Sequence, residues 1–128
     1  MSDTLSNVFN IMSIARKTGK QTCIISPVSR FLVKILDIIK VNGYINKYEI
    51  ISDSRGGFIK LELSENLNNC KAIRPRLPIK AEEITKYEKR FLPSLGFGII
   101  ILSTNKGIMT NNDAKAAKIG GSLIAYVY

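Results

Sequence analysis

The run GFGIIILST, Gly96 to Thr104, is the most apolar stretch of the chain and limits the fold more than any other feature. A short continuous apolar run bounded by glycine and polar residues is the pattern of a strand buried on both faces, and such a strand sits inside a sheet. The closing SLIAYVY is apolar on both faces in the same way and is a second buried strand. After the first of these comes STNKGIMT, Ser103 to Thr110, whose first five residues crowd two hydroxyls, an amide, an ammonium and a glycine into a place where a strand only has to turn. Turn chemistry is one account of it, with Asn105 and Gly107 supplying positive φ and Ser103 and Thr104 capping. A contact surface is the other.

The remaining periodicities fill in the elements. Leu5, Val8, Phe9 and Met12 recur at helical spacing after the capping candidates Ser2 and Asp3, so a helix is expected over residues 4–17, with a basic end at Arg16-Lys17 before Gly19. QTCII is a short strand. Ser26-Pro27 is read as the next helix start, the hydroxyl as N-cap and proline at the first position, leading to Phe31, Leu32, Ile35, Leu36 and Ile39 on one face and ending at Gly43. YINKYEII and GFIKLEL, joined by SDSRGG, form a hairpin. CKAIRPRLPI is a strand and KAEEITKYEKRF a charged helix; Thr110 with Asp113 opens a last short helix that Gly120-Gly121 is expected to terminate. The polar run SENLNN has no periodicity and marks a boundary. These elements make an α+β fold of two small lobes, an N-terminal α/β unit with a β-hairpin over residues 1–66 and a C-terminal mostly β unit with short helices over residues 67–128.

Much chemistry is excluded by composition. With no histidine the chain lacks the commonest general base and most catalytic metal sites, its ten carboxylates form no dense cluster, and no phosphate-binding G-x-x-x-x-G-K-[ST] occurs. An RNA-modifying or nucleotide-handling enzyme is therefore the weaker alternative, and no metal, cofactor or small-molecule substrate is expected. Cys23 and Cys70 stand alone, as reduced core thiols do. The most hydrophobic helix, Phe31 to Val41, is broken by Lys34, Asp37 and Lys40, and the N-terminus lacks a basic-then-apolar signal, so the expectation is an intracellular protein that neither spans nor coats a membrane.

Charge points to the partner. The chain carries +9, and its segments carry +4 over residues 1–40, −1 over 41–70, +4 over 71–100 and +2 over 101–128. Such a field attracts polyanions, and the excess avoids the hairpin. Lys71, Arg74, Arg76 and Lys80 have no acidic residue near them in sequence, and Arg16, Lys17, Lys20 and Arg30 gather at a helix end and beside the Ser26-Pro27 turn. Phosphate contact is expected for both groups.

At this point the residues carry a resemblance. STNKGIMTNNDAKAAKIGGSLIAYVY resembles the C-terminal signature of the small-ribosomal-subunit protein eight family: Ser/Thr-Thr, two residues, Gly, two apolar residues, a short helix, and Gly-Gly before a final strand. ISPVSRFLVKIL, NGYINKYEI, SDSRGGFIKLEL, LNNCKAIRPR and LPSLGFGIIILST are similar to its archaeal and eukaryotic cytosolic branch, so the resemblance covers nearly the whole chain. Two departures stand out: AKAAK where relatives are usually arginine-rich, and Ile14 where an Asn is common. The resemblance implies a cytoplasmic protein of the small ribosomal subunit that binds the central domain of its RNA, beside neighbouring small-subunit proteins. It implies central RNA contacts at Ser103, Thr104, Asn105, Lys106, Gly107, Gly120 and Gly121, and backbone contacts at Arg16, Lys17, Lys20, Ser26, Ser29 and Arg30.

Overall fold

In the computed structural model, which describes residues 4–26, 28–52, 54, 56–94 and 96–128, the chain is an α+β protein with four α-helices and two antiparallel sheets. Ser2, Asp3 and Pro27, to which the sequence assigned capping roles, lie outside these residues, as does the side chain of Arg74. Spatial proximity divides the chain into two units, Met1–Lys71 and Ala72–Tyr128.

The first unit is built by α1 (Thr4–Lys17), β1 (Thr22–Ile25), α2 (Arg30–Val41), β2 (Ile45–Ile51) and β3 (Phe58–Leu63). Its sheet has the order β1-β3-β2, all antiparallel, with the expected hairpin between β2 and β3. Period two decides the faces: Ile59, Leu61 and Leu63 of β3 are buried while Lys60 between them is exposed. Val8, Phe9, Met12 and Ala15 of α1 and Leu32, Ile35, Leu36 and Ile39 of α2 are buried, as helical spacing requires. Ser13, buried on α1, donates to the Cys70 carbonyl at 2.9 Å. Both cysteines are free thiols, and burial pushes each up from 9.0 to about 11.

One helix start is corrected. The N-cap of α2 is Ser29, not Ser26: Ser29 is extended at φ −144°, and its Oγ accepts from the Leu32 N–H at 3.1 Å. A cap bonds the third helical residue, and here that residue is Leu32, where the buried stripe begins; from Ser26 the same bond falls a full turn too early. Ser26 is exposed, ahead of the helix.

The chain passes to the second unit along β4 (Cys70–Ile79). A 3-10 turn (Ala81–Glu83) follows, then α3 (Ile84–Phe91), β5 (Ile99–Thr104), β6 (Gly107–Thr110), α4 (Asn111–Ala117) and β7 (Gly121–Val127), and the sheet order is β4-β7-β5-β6. Both all-apolar runs are interior strands, with Ile99 to Leu102 buried at every position and Leu123 to Ala125 likewise. The core cluster gathers Ile73, Ile79, Ile84, Leu92, Ile100, Leu102, Ala114 and Leu123. Glu83 tightens the entry to α3 by accepting from the Lys80 N–H at 2.9 Å while its own N–H donates to the Lys80 carbonyl.

Gly120-Gly121 does not end α4. Lys118, at φ 57° and ψ 43°, takes the left-handed residue that closes the helix, with Lys118 N–H donating to the Lys115 carbonyl and Ile119 N–H to the Ala114 carbonyl. Gly19 and Gly43 fill the same position after α1 and α2.

Candidate nucleic-acid interface

The turn STNKG is the tip of a tight hairpin. Strand β5 pairs with β6 through Ser103↔Ile108 and Thr104↔Gly107, leaving Asn105 and Lys106 as the loop. Thr104 closes it from inside, because its hydroxyl donates to the Gly107 carbonyl at 2.8 Å and accepts from the Lys106 N–H at 3.1 Å. That leaves the hydroxyl one acceptor lone pair for anything outside. Gly107 supplies the positive φ, 111°, that such a loop needs and a Cβ resists; Asn105 does not. Among the described residues nothing hydrogen-bonds the half-buried Ser103 hydroxyl, and Asn105 and Lys106 are exposed. The tip therefore holds one free hydroxyl, one amide and one ammonium on a fixed backbone.

The glycine pair lies against this tip. In the β5–β7 register Ser103 faces Ser122, and a Cβ on Gly121 would stand 2.3 Å from the Ser103 carbonyl oxygen and 2.9 Å from Thr104 Cγ2. A Cβ on Gly120 would stand 2.3 Å from the Ile79 carbonyl oxygen and 2.9 Å from Lys80 Cα. Both glycines are thus accounted for by close packing of protein backbone, whatever else they meet. The contact has a second result: it brings Lys80, exposed, beside Gly120, so that Lys80, Gly120, Gly121 and the STNKG tip form one continuous surface.

At the end of the β5–β6 hairpin away from the tip lies a polar cluster that the sequence did not announce. Glu88 of α3 is 5% exposed; its Oε2 accepts from the Asn111 amide, and Lys115 Nζ stands 2.6 Å from Oε1. Asn111, 2% exposed, accepts in turn from the Ile100 N–H at 3.0 Å. Glu88 is thereby tied to α4 and, through Asn111, to β5. The N-cap at Thr110, whose Oγ1 accepts from the Asp113 N–H at 3.3 Å, fixes the start of the same helix. In sequence Glu88 sits among Lys86, Lys89 and Arg90 and reads as one charge of a solvated face.

The other sequence candidates fall into separate places. In the first unit, Lys17 and Lys20 are exposed at the end of α1, while Arg16 is half-buried and donates from Nε to the Leu67 carbonyl at 3.0 Å. Ser26, Ser29 and Arg30 are exposed at the other end of β1. Four strand residues separate them, roughly 13 Å at 3.3 Å per residue, so the cations form two groups, not one. Ser29 already uses its Oγ as the cap of α2. Lys71, at the end of the first unit, is exposed; so is Arg76 on β4. No helix among the described residues is long and apolar enough to cross a membrane. Among the same residues no group of three or more Cys, Asp or Glu is placed to hold a metal.

Known proteins resemble the chain over its whole length. A family model described as Ribosomal protein S8 matches residues 3–128. The chain is 48% identical to the small ribosomal subunit protein uS8 of Nanoarchaeum equitans (strain Kin4-M) over 128 residues, all of this chain and 96% of that protein. It is 44% identical to the protein of the same name from Thermoplasma acidophilum over 127 residues, covering 99% and 98% of the two chains. The protein of that name from Picrophilus torridus is 45% identical over 126 residues, 98% of each.

Proposed function

The chain belongs to the ribosomal protein S8 family, a family of ribosomal proteins rather than enzymes, and from that premise we propose that it is a structural constituent of the small ribosomal subunit in the cytoplasm. In this reading it binds the central domain of the small-subunit RNA, beside other small-subunit proteins, and supports assembly of the subunit and translation. The observation that carries the reading is the continuous surface of the STNKG tip, the Gly120-Gly121 backbone and Lys80. A-form RNA offers a wide, shallow minor groove lined with 2′-hydroxyls. A tip of small donors and acceptors held close to its own backbone fits there, where a long side chain would hold the protein off.

Roles follow from what each group has left to give. Ser103, unpaired among the described residues, reads a 2′-OH or a base edge. Lys106 and Lys80 neutralise phosphate, Asn105 hydrogen-bonds, and Thr104 mainly shapes the loop. Gly107 holds the tip's curvature. Lys17, Lys20, Ser26 and Arg30 hold neighbouring RNA backbone from the first unit, with Arg16 and Ser29 chiefly bracing that surface. Lys71, Arg74 and Arg76 add cationic length along β4. The open face of the first sheet stays out of contact, because Lys47 and Lys60 are set across from Glu62 and Glu49 in the register and cancel them.

Filter binding to small-subunit RNA over a salt series tests this. Lys106→Gln is expected to weaken binding and flatten log K against log salt by somewhat under one unit, the share of about one phosphate. Ser103→Ala is expected to cost on the order of 1 kcal/mol with the salt slope unchanged. Gly107→Val strains a φ of 111° and is expected to lower affinity sharply while the fold survives. Three near-wild-type affinities in folded proteins would place the RNA surface elsewhere.

A further inference from the structure

The first unit leaves one strand edge open. β1 pairs with β3 on one side, and among the described residues no strand meets its other side. An edge of this kind presents unpaired N–H and C=O groups, and proteins commonly blunt it with charge, proline or a bulge. Here it borders apolar surface instead. Ile24 of β1 is 59% exposed, and Ile14 and Ile11 of α1 are 56% and 39% exposed. Single exposed apolar residues are ordinary, but these three are gathered in one groove of about 520 Å³ that also takes in Ala15 and Cys23.

The charge around the groove is one-sided. Lys20 lines it, and among the described residues no acidic one does. One ammonium over an apolar floor is a poor match for RNA, which asks for a cation at successive phosphates. It is a good match for an extended peptide, which takes its affinity from main-chain bonds to an open edge and its specificity from alternate side chains entering a groove. We propose that this groove binds an extended segment of another protein, added as a strand along β1, with one alternate set of apolar side chains seated against Ile11 and Ile14, the other set passing Ile24 on the face it shares with Lys60, and an acidic residue paired with Lys20. The inference stands on α1, β1 and the Lys20 between them, which it assigns to the peptide in place of the RNA contact proposed above, and it survives or fails apart from the RNA reading of the second unit.

The test is site-specific photocross-linking in cells that produce the full chain. A benzophenone amino acid replaces Ile24, or, as a control on the far strand of the same sheet, Glu49, and the cross-linked peptides are sequenced. The expected result is at least tenfold more protein cross-link from position 24, to one segment with alternating apolar residues and an acid. That segment, made as a synthetic peptide, is expected to slow amide hydrogen exchange in β1 of the purified chain at least tenfold. Ile14→Lys or Lys20→Glu is expected to weaken the peptide at least tenfold. Cross-links from position 24 only to RNA, only to a second copy of the chain, or no stronger than the control would overturn the proposal. So would a peptide that leaves exchange in β1 unchanged.

Discussion

Lys115→Met isolates the buried carboxylate of the second unit. In the native protein Lys115 Nζ lies 2.6 Å from Glu88 Oε1, and the two side chains are 40% and 6% exposed. Among the described residues that oxygen accepts no other hydrogen bond. Removing one partner of a fully buried pair costs about 3–5 kcal/mol because a charge is left uncompensated, whereas an exposed pair is worth about 0–1. The carboxylate belongs to the first class and the ammonium to the second, since water reaches Lys115 and can follow into the space its head leaves. A cost of about 2 kcal/mol lies between the limits and agrees with the ~1.5–3 of a hydrogen bond to a charged group. With a urea m-value of about 1–3 kcal/mol/M, the unfolding midpoint should fall by about 1 M. Adding Glu88→Gln removes the stranded charge and keeps an acceptor for the Asn111 amide, so the double variant should be more stable than Lys115→Met alone. A midpoint within about 0.2 M of wild type for Lys115→Met, or a double variant less stable than the single, would refute the reasoning and show that the carboxylate does not need the ammonium.

Other substitutions separate local structure from binding. Ser29→Ala should cost about 0.5–2 kcal/mol in thermal or urea melts through loss of the α2 cap, and Ser26→Ala should leave the midpoint unmoved; the reverse order would return the helix start to Ser26. Lys118→Gly should stabilise the protein by about 1 kcal/mol, since the left-handed φ of 57° costs a side chain about that much; a lower urea midpoint would mean that the lysine side chain offsets its own strain. Lys60→Gln, on the charge-balanced face of the first sheet, should leave RNA affinity within about twofold of wild type, and a tenfold loss, about 1.4 kcal/mol, would put that face against RNA.

What was legible in the sequence was what periodicity writes. α1 appeared over Thr4–Lys17, as its apolar spacing and basic end required, and β5 and β7 were interior strands because nothing polar interrupts them. The hairpin of β2 and β3 was announced by its alternation and its glycine turn. β6 was not visible, since four residues, GIMT, are too few for a period and were read as part of a turn leading to a helix. Ser26 and Ser29 are both plausible caps in sequence, and only the position of Leu32 in the packed stripe chooses between them. Glu88 escaped notice because a helix face full of lysine and arginine looks solvated until Asn111 and Lys115, more than twenty residues on, are folded against it.

The glycines at 120 and 121 carry the same lesson to the candidate site. In sequence a Gly-Gly after a short helix is a terminator, but Lys118 already ends α4, and the pair is needed where β7 enters the sheet. There a Cβ at 121 would collide with the Ser103 carbonyl and one at 120 with the backbone of Ile79 and Lys80. Any side chain at either position moves β7 relative to β5 or β4, and with it the seating of the STNKG tip. Gly107 differs: open space surrounds it, and only its φ of 111° excludes a side chain. The tip thus depends on glycine by two physical routes, close packing beneath it and curvature at its end. Only the second belongs to the loop itself, which is why the residue pattern alone could mark the place without giving the reason for each residue in it.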